Sequence, residues 1–298
     1  MRRIDDSVYE LEVSDIRELF SKREDDSHKG MFGKAGIYGG SLEYSGALKL
    51  AYLSLASLRS GCGISRILTK REVLPLLGPN ILEQTICVLP DYDDSLFYDK
   101  LLSSISDLDS LAFGMGLGRD NKLEDVLSFI ICHYQGSLII DADGLNTLSR
   151  MDLDILRKKT CNILLTPHLK EFSRLTSKDI EEISSNKIDL VSSFARKYDV
   201  CVLLKGHTTV ISDGRCSYLI TTGCSGMATA GSGDVLSGIL AGLFSYLDFR
   251  LLSIAAGVFL HGIAGCIAEE EESDISMISG DILSHVGDAV KVIRGVDI

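Results

Sequence analysis

Residues 137–146 read Ser-Leu-Ile-Ile-Asp-Ala-Asp-Gly-Leu-Asn, so a short apolar run with the character of a buried strand leads into a turn with two carboxylates. The same succession recurs along the chain, where apolar runs end in polar or glycine-rich turns and segments with helical apolar spacing follow. This alternation predicts an α/β fold with a mainly parallel central sheet and helices on both faces. Ligands in such folds bind beyond the carboxyl ends of the strands, where the polar turns of this sequence fall.

The apolar runs and their spacing predict individual elements. Strands are expected at residues 34–39, 65–69, 110–113, 137–140, 162–165 and 200–204, with a hairpin of residues 209–212 and 218–221. Helices are expected at residues 47–59, 123–134, 185–198, 235–247 and 251–267. The last of these contains His261 and several glycines and runs into four glutamates, which favours a buried helix over a membrane span.

Composition limits the class of protein. The chain has 298 residues, 45% of them apolar, which is enough for a large core and excludes an intrinsically disordered protein. Acidic residues number 42 against 30 Lys and Arg, a net charge of −12, so the basic surface of a nucleic-acid-binding protein is not expected. Without an internal repeat or a proline-rich linker, the sequence predicts one domain over residues 28–298, preceded by a polar arm over residues 1–27.

The cysteines and the first residues bear on location. Eight cysteines lie mostly in apolar runs without a C-x-x-C pair, and are interpreted as buried reduced thiols rather than zinc ligands. The chain opens Met-Arg-Arg-Ile-Asp-Asp, which does not resemble a secretory signal. A cytoplasmic protein without a membrane partner is therefore expected.

Residues 223–234 read Gly-Cys-Ser-Gly-Met-Ala-Thr-Ala-Gly-Ser-Gly-Asp and precede a predicted helix. Glycines let the backbone approach a ligand, and the start of a helix carries partial positive charge, so the segment is suited to phosphate. Asp234 then either caps the helix or acts as the base that takes a proton from a hydroxyl beside the phosphate. Neither a Walker A motif nor the G-x-G-x-x-G pattern of dinucleotide-binding sites occurs.

Polar turns follow other predicted strands. Residues 205–209 comprise Lys205, Gly206, His207, Thr208 and Thr209, where the lysine either reaches a phosphate or is solvated. Glycine-rich turns also occupy residues 39–47 and 114–118. Because these turns all fall at the ends of successive strands, we expect them to line one crevice.

Further candidates for this crevice are carboxylates, an amide and an imidazole. Asp141 and Asp143 either hold Mg²⁺ through water or cap the next helix, and Asn146 contacts either the substrate or the backbone. His168 is either structural or part of the site, and its neighbour Glu171 favours the site. The six histidines contain no HExxH pattern, so a catalytic zinc is not expected.

The ordered set of motifs resembles the ADP-dependent (S)-NAD(P)H-hydrate dehydratases of the ribokinase-like superfamily, from His28 to about residue 290. The pieces that carry the resemblance are His28-Lys29-Gly30-Met31-Phe32-Gly33-Lys34, Gly40-Ser41 with Tyr44 and Gly46-Ala47, residues 114–118, Asp141-Ala142-Asp143-Gly144-Leu145-Asn146, Thr166-Pro167-His168 with Glu171, Lys205-Gly206 with Thr208-Thr209, residues 227–236, and His261-Gly262 with Ala264-Gly265. The sequence departs from the family pattern at Met115, Gly144, Leu169-Lys170, His207 and Ala230.

The resemblance implies roles for individual residues. Contacts to the hydrated nicotinamide nucleotide would come from Ala47, Gly118, Asn146, His168 and Asp234, with Asp234 catalytic. The adenine nucleotide would be held by Lys205, Gly206, His207, Thr208, Thr209 and Gly233. No direct protein ligand to a metal is implied, and Mg²⁺ is expected near Asp141 and Asp143 through water.

The resemblance also implies a reaction, namely ADP-dependent dehydration of (S)-NADHX or NADPHX to NADH or NADPH. The hydrate hydroxyl would be phosphorylated and phosphate eliminated, leaving AMP and phosphate. A ribokinase-like domain without a separate lid domain, a homotetramer and a separate epimerase as partner are expected on the same basis. Two alternatives stay open: a small-molecule kinase of the hydroxyethylthiazole kinase type, and a nucleotide-binding regulator without turnover.

Overall fold

The computed structural model describes residues 1–56, 59–78 and 82–296. The strands are β1 Arg2–Asp5, β2 Val8–Glu10, β3 Lys34–Tyr38, β4 Ile64–Lys70, β5 Thr85–Leu89, β6 Ser110–Phe113, β7 Ser137–Ile140, β8 Asn162–Leu165, β9 Cys201–Leu204, β10 Thr209–Ser212 and β11 Ser217–Ile220. The helices are α1 Ser45–Ala56, α2 Leu74–Leu77, α3 Phe97–Ile105, α4 Lys122–His133, α5 Asp143–Leu148, α6 Leu169–Thr176, α7 Ile180–Ser185, α8 Lys187–Tyr198, α9 Ser232–Phe244, α10 Leu251–Glu272, α11 Ser279–Ser284 and α12 Val286–Arg294.

The strands in the described part of the chain form one sheet in the order β1-β2-β11-β10-β9-β8-β7-β6-β3-β4-β5. Every neighbouring pair from β9 to β5 is parallel. Strand β10 is antiparallel to both of its neighbours, β9 and β11. The mainly parallel α/β sheet predicted from the alternation of elements is therefore confirmed, and the carboxyl ends of β3, β6, β7, β8 and β9 meet at one edge.

Each face of the sheet has its own apolar core. On one face, Ile37 of β3 is buried in the same cluster as Ile239 of α9 and Ile254 of α10. On the other face, Ile140 of β7 is buried with Ile130 of α4. Complete burial of a Leu or Ile side chain contributes about 1.5–3 kcal/mol. The predicted helices on both faces are confirmed. The helices of the two faces pack against the strands whose ends carry the polar turns.

Helix α9 begins earlier than the apolar spacing indicates. Residues 235–247 were expected, whereas the helix spans Ser232–Phe244. Gly231 precedes it with φ +90°, a left-handed conformation that glycine adopts without steric cost. Ser232, Gly233 and Asp234 therefore form its first turn. The helix expected at 47–59 is α1, and residues 57 and 58 of that prediction lie outside the described part of the chain.

The first residues of the chain add to the sheet. Strand β2 pairs in parallel with β11, and β1 pairs with β2. Further along this segment, Leu11, Ile16 and Phe20 are buried in the core on the α10 face. The charged composition of residues 1–27 led us to expect an arm and gave no sign of these strands, and the boundary at residue 27 stays a prediction.

Helix α10 is long and apolar enough to cross a membrane by length and composition, but 83% of its most apolar stretch is buried inside the fold. Ala255, Leu260 and Ala264 are completely covered by neighbouring elements. The prediction of a buried helix in this region is confirmed.

Candidate active site

A cavity of about 710 Å³ lies at the carboxyl edge of the sheet. It is lined by Glu43, Tyr44, Ala47, Gly116, Gly118, Arg119, Ala142, Asp143, Asn146 and Asp234. Four residues predicted to contact the substrate, Ala47, Gly118, Asn146 and Asp234, are thus brought together from four separate turns. His168 and the nucleotide residues are not among the lining residues.

Asp234 is the third residue of α9, and its carboxylate makes no hydrogen bond or ion pair within the described part of the chain. The N-cap position belongs to Gly231, and no side chain caps this helix. Burial raises the pKa of Asp234 to about 7, and the carboxylates of Asp141 and Asp143 act in the same direction against the opposing charge of Lys205. An unengaged carboxyl that titrates near neutral pH is suited to accept a proton.

Asp141 forms an ion pair, which differs from both expected roles, water-mediated Mg²⁺ binding and helix capping. Its side chain is only 2% exposed, Oδ1 accepts a hydrogen bond from Lys205 Nζ at 2.8 Å, and Oδ2 accepts one from Ser237 Oγ at 2.7 Å. The carboxylate therefore forms a buried ion pair between the ends of β7 and β9. Burial lowers the pKa of Lys205, but the carboxylates of Asp141 and Glu171 outweigh that effect and hold the pKa above its ordinary value.

Asp143 holds the neighbouring glycine turn. Its Oδ2 accepts from the Gly118 backbone N at 2.8 Å, and Oδ1 accepts from Asn146 Nδ2 at 3.3 Å. The Asn146 side-chain oxygen accepts from Arg174 at 2.7 Å, so the amide contacts side chains rather than the backbone. A Cβ on Gly118 would meet nothing closer than 3.6 Å, so this glycine faces open space in the cavity.

These engagements bear on the expected magnesium ion. Both oxygens of Asp141 and both oxygens of Asp143 already accept hydrogen bonds from protein groups. No cluster of three or more His, Cys, Asp or Glu side chains suited to a metal occurs within residues 1–56, 59–78 and 82–296. The donor set does not fit a magnesium ion held directly by protein ligands.

The backbone between the two carboxylates is strained. Ala142 has φ 49° and ψ −118°, values that correspond to the second residue of a type II′ turn and that favour glycine. The turn is closed by a hydrogen bond from the Gly144 N to the Asp141 carbonyl oxygen at 2.8 Å. Because of this turn, the Asp141 side chain lies in the ion pair with Lys205 and the Asp143 side chain lines the cavity.

His168 is the N-cap of α6. Its Nδ1 accepts from the backbone N of Lys170 at 3.1 Å and of Glu171 at 3.3 Å, while Glu171 Oε2 accepts from the His168 backbone N at 2.8 Å. An accepting Nδ1 requires the neutral ring, and burial together with Lys205 lowers the pKa of His168. Burial raises the pKa of Glu171 to about 7. The ring has a capping role, and at 49% exposure it is also open to a ligand.

The predicted nucleotide residues lie between β9 and the start of α9. His168 and Lys205 pair as a parallel bridge just beyond β8 and β9. Gly206 and His207 are exposed, and Thr208 and Thr209 are half-buried. A Cβ on Gly233 would lie 3.3 Å from Lys205 Nζ, so the ammonium faces the first turn of α9. The structure brings Lys205 and Gly233 together, places His207 and Thr208 in the loop that follows Lys205, and places Thr209 at the start of β10.

Other residues at this edge were not identified as site residues from the sequence. Arg119 and Glu43 line the cavity, and Ser237 joins the ion pair. Ser232 in the first turn of α9 lies 3.3 Å from His261 Nε2, and burial lowers the pKa of His261 to about 4. Arg119 directly follows the glycine turn 114–118, a signal that was available, whereas a serine inside an apolar helix gives none.

Comparison with solved structures identifies the class of fold. A ribokinase-like superfamily protein of Enterococcus faecalis superposes with a TM-score of 0.82 at 24% identity, covering 98% of this chain and 99% of its own. The ADP/ATP-dependent NAD(P)H-hydrate dehydratase of Bacillus subtilis, co-crystallized with ATP and Mg²⁺, superposes with a TM-score of 0.81 at 25% identity, covering 93% and 96%. The fold is ribokinase-like, as predicted.

Sequence comparison narrows the class. The family model described as NAD(P)H-hydrate dehydratase matches residues 35–286. The ADP-dependent (S)-NAD(P)H-hydrate dehydratase of Nitrosopumilus maritimus is 31% identical over 280 residues, covering 93% of this chain and 94% of that protein. The chain belongs to the NAD(P)H-hydrate dehydratase family, which confirms the predicted resemblance.

Longer relatives also match. The bifunctional NAD(P)H-hydrate repair enzyme of Thermofilum pendens is 35% identical over 98% of this chain and 56% of its own length. The chain thus spans about half the length of such bifunctional relatives. A hydroxyethylthiazole kinase of Pyrococcus horikoshii superposes with a TM-score of 0.58 at 13% identity, which shows a shared fold and no more.

Proposed function

We propose that the protein dehydrates (S)-NADHX and NADPHX to NADH and NADPH with ADP as co-substrate. The family match supports this reaction class, and relatives named ADP-dependent (S)-NAD(P)H-hydrate dehydratase match over nearly their whole length. The observation that carries the proposal is Asp234, an unengaged carboxyl with a pKa of about 7 in the wall of a cavity of about 710 Å³.

The first step is phosphoryl transfer to the hydrate. The Asp234 carboxylate accepts the proton of the ring hydroxyl, whose oxygen attacks the β-phosphorus of ADP while the bond to AMP breaks. Asp234 is held in the first turn of α9, and Lys205 lies against the same turn. The ammonium and the amino end of the helix stabilise the transferring phosphoryl group by their positive charge.

The second step is elimination. The lone pair of the ring nitrogen forms a bond to the adjacent carbon as the carbon–oxygen bond breaks and phosphate leaves. Loss of a proton from the next carbon then restores the ring double bond. One ADP is consumed for each hydrate, because phosphoryl transfer converts the hydroxyl into the better leaving group phosphate.

The two substrates would approach from opposite sides of the α9 start. The hydrate would occupy the cavity against Ala47, Gly118 and Asn146. The half-exposed His168 ring lies beside Lys205, where it would contact the hydrate near the hydroxyl that receives the phosphoryl group. The nucleotide would lie against Gly233 and residues 205–209. Since the carboxylates of Asp141 and Asp143 already accept hydrogen bonds from protein groups, Mg²⁺ would come with the nucleotide phosphates, near these two residues through water.

The test mixes the purified chain with (S)-NADHX and either ADP or ATP in the presence of Mg²⁺, and follows NADH absorbance, AMP and phosphate. Equal amounts of NADH, AMP and phosphate from ADP support the proposal. A stable phosphorylated product without NADH would indicate the kinase alternative. Binding of ADP without any phosphate release would indicate the regulator.

The remaining expectations are proposals on the same family basis. We propose a cytoplasmic homotetramer that works beside a separate NAD(P)HX epimerase. Exposed apolar side chains at Leu42, Tyr44, Ile275 and Ile278 offer surface for contacts between subunits. Light scattering of the purified chain measures the oligomeric state, and a monomer would contradict the tetramer.

A further inference from the structure

Ser237 has an unusual hydrogen bond for a serine inside a helix. It lies one turn after Gly233 on α9, its side chain is fully buried, and its Oγ donates to Asp141 Oδ2 at 2.7 Å. A helical serine ordinarily bonds back to a carbonyl of its own helix. Here the hydroxyl donates its hydrogen bond to a carboxylate 96 residues away in the chain.

That carboxylate has one further partner, Lys205, whose Nζ donates to Oδ1 at 2.8 Å. An ammonium has three donors, and Asp141 is its one hydrogen-bond partner within the described part of the chain. Two donors therefore remain. Because Nζ lies 3.3 Å from the position of a Cβ on Gly233, the ammonium is directed at the first turn of α9.

We propose that Ser237 is a positioning residue of the nucleotide site, whose hydroxyl fixes the Asp141 carboxylate so that Lys205 presents its ammonium to the polyphosphate of a nucleoside diphosphate. The inference rests on the proposed nucleotide dependence of the reaction. Ser237 itself touches neither substrate, since Asp141 lies between its hydroxyl and the ammonium.

The physical reason lies in the carboxylate's second oxygen. With Ser237 in place, each oxygen of Asp141 has one donor, and Lys205 is held by Oδ1 alone. Without the hydroxyl, Oδ2 is a buried acceptor with no donor, which is costly. The ammonium then moves to share both oxygens and withdraws from the nucleotide, so phosphate binding is weakened while Asp234 stays in place.

The experiment compares Ser237→Ala with Ser253→Ala. Ser253 is a matched control on α10, because it is also fully buried and its Oγ donates one hydrogen bond of 2.7 Å, to the Asp248 carbonyl oxygen. Binding of ADP is measured by calorimetry, and kcat and both KM values by the NADH assay. We expect Ser237→Ala to raise Kd and KM for ADP about tenfold, the effect of one misplaced charge-assisted hydrogen bond. Its KM for the hydrate should stay within about threefold of wild type on that scale. Its kcat at saturating ADP should fall up to about tenfold, because Lys205 also stabilises the transferring phosphoryl group.

Ser253→Ala should bind ADP within about twofold of wild type on the same affinity scale, although both variants lose similar thermal stability. Wild-type ADP affinity in Ser237→Ala, or an equal loss in Ser253→Ala, overturns the proposal. If Ser237→Ala does not fold, Ser237→Cys keeps the volume with a weak donor, and wild-type affinity in that variant also overturns it. A wild-type chain that binds ADP but forms no NADH refutes the proposed reaction, while the ADP affinities still decide the role of Ser237.

Discussion

Asp234→Asn is expected to remove most turnover and at the same time to stabilise the fold at neutral and alkaline pH. Asn keeps the shape of the side chain but cannot accept a proton. A general base contributes about 10²–10⁴-fold in rate, so kcat should fall at least ~100-fold. The gain in stability arises because the native carboxylate is ionised in a buried place beside the carboxylates of Asp141 and Asp143.

The magnitude of the gain follows from the pKa of Asp234, which is about 7 in the folded protein and 3.8 for an ordinary aspartate. As pH rises from about 4 to 7, the unfolded chain releases this proton first, so the wild type loses free energy of unfolding across that interval. One pH unit corresponds to about 1.4 kcal/mol, so the penalty reaches at most ~4 kcal/mol at pH 8. Asn has no proton to release, and the variant should gain up to that amount at pH 8 and nothing at pH 4.

Urea unfolding between pH 4 and 8, together with kcat at saturating substrates, measures both effects. Asp288→Asn is the matched control, since Asp288 is also the third residue of its helix, but hydrogen bonds from Lys291 and His285 lower its pKa. Its replacement should leave turnover unchanged, and its effect on stability should be nearly constant between about pH 5 and 8, because the pKa of Asp288, lowered from 3.8, lies below that interval. An Asp234→Asn variant with more than a tenth of wild-type kcat, or with a stability difference that does not grow with pH, would refute the reasoning.

Substitutions at three further positions test neighbouring parts of the site. ADP at 100 times its Kd should stabilise the wild type by about 2.7 kcal/mol, measured as a thermal shift. Gly233→Val should remove most of that shift because the valine side chain would meet Lys205. An undiminished shift would reject the placement of the nucleotide against Gly233. His168→Ala should lose about 1 kcal/mol of capping energy and raise the KM for the hydrate, whereas His168→Asn should restore the cap and leave that KM raised. A normal KM for the hydrate in both variants would leave His168 with a structural role only. Ala142→Gly should raise the free energy of unfolding by about 1 kcal/mol in urea by relieving the strained φ and ψ, and a loss of stability would contradict the strain.

The strands at the centre of the sheet were predicted well, because their apolar composition matches their complete burial. Strand β7 was expected at residues 137–140 and spans Ser137–Ile140, and β6 likewise spans its expected residues. Both are short, completely buried runs between parallel neighbours, and apolarity alone identifies such strands. Strands β1 and β2 at one margin of the sheet were missed, since the edge strand β1 is exposed on every residue and carries no apolar pattern.

The site shows the same division. Turns at the ends of parallel strands meet by topology, and so the meeting of Ala47, Gly118 and Asp234 could be predicted. The partner of Asp141 could not, since a carboxylate at a strand end serves equally as a cap, a ligand to hydrated magnesium or half of an ion pair. Its pairing with Lys205 and Ser237 depends on how far β7, β9 and α9 lie from one another, which residue spacing does not contain.

The pairing of β2 with β11 also has a consequence for the order in which the chain assembles. Val8 is in register with Ser217, so β2 acquires β11 as its neighbour only after some two hundred further residues have been added. Arg294 closes the same region from the other end by donating to the Phe20 carbonyl oxygen. On the ribosome β1 and β2 can pair only with each other while the parallel strands behind them form. Contacts of such long sequence separation slow folding, and the margin of the sheet is completed among the last events of biosynthesis.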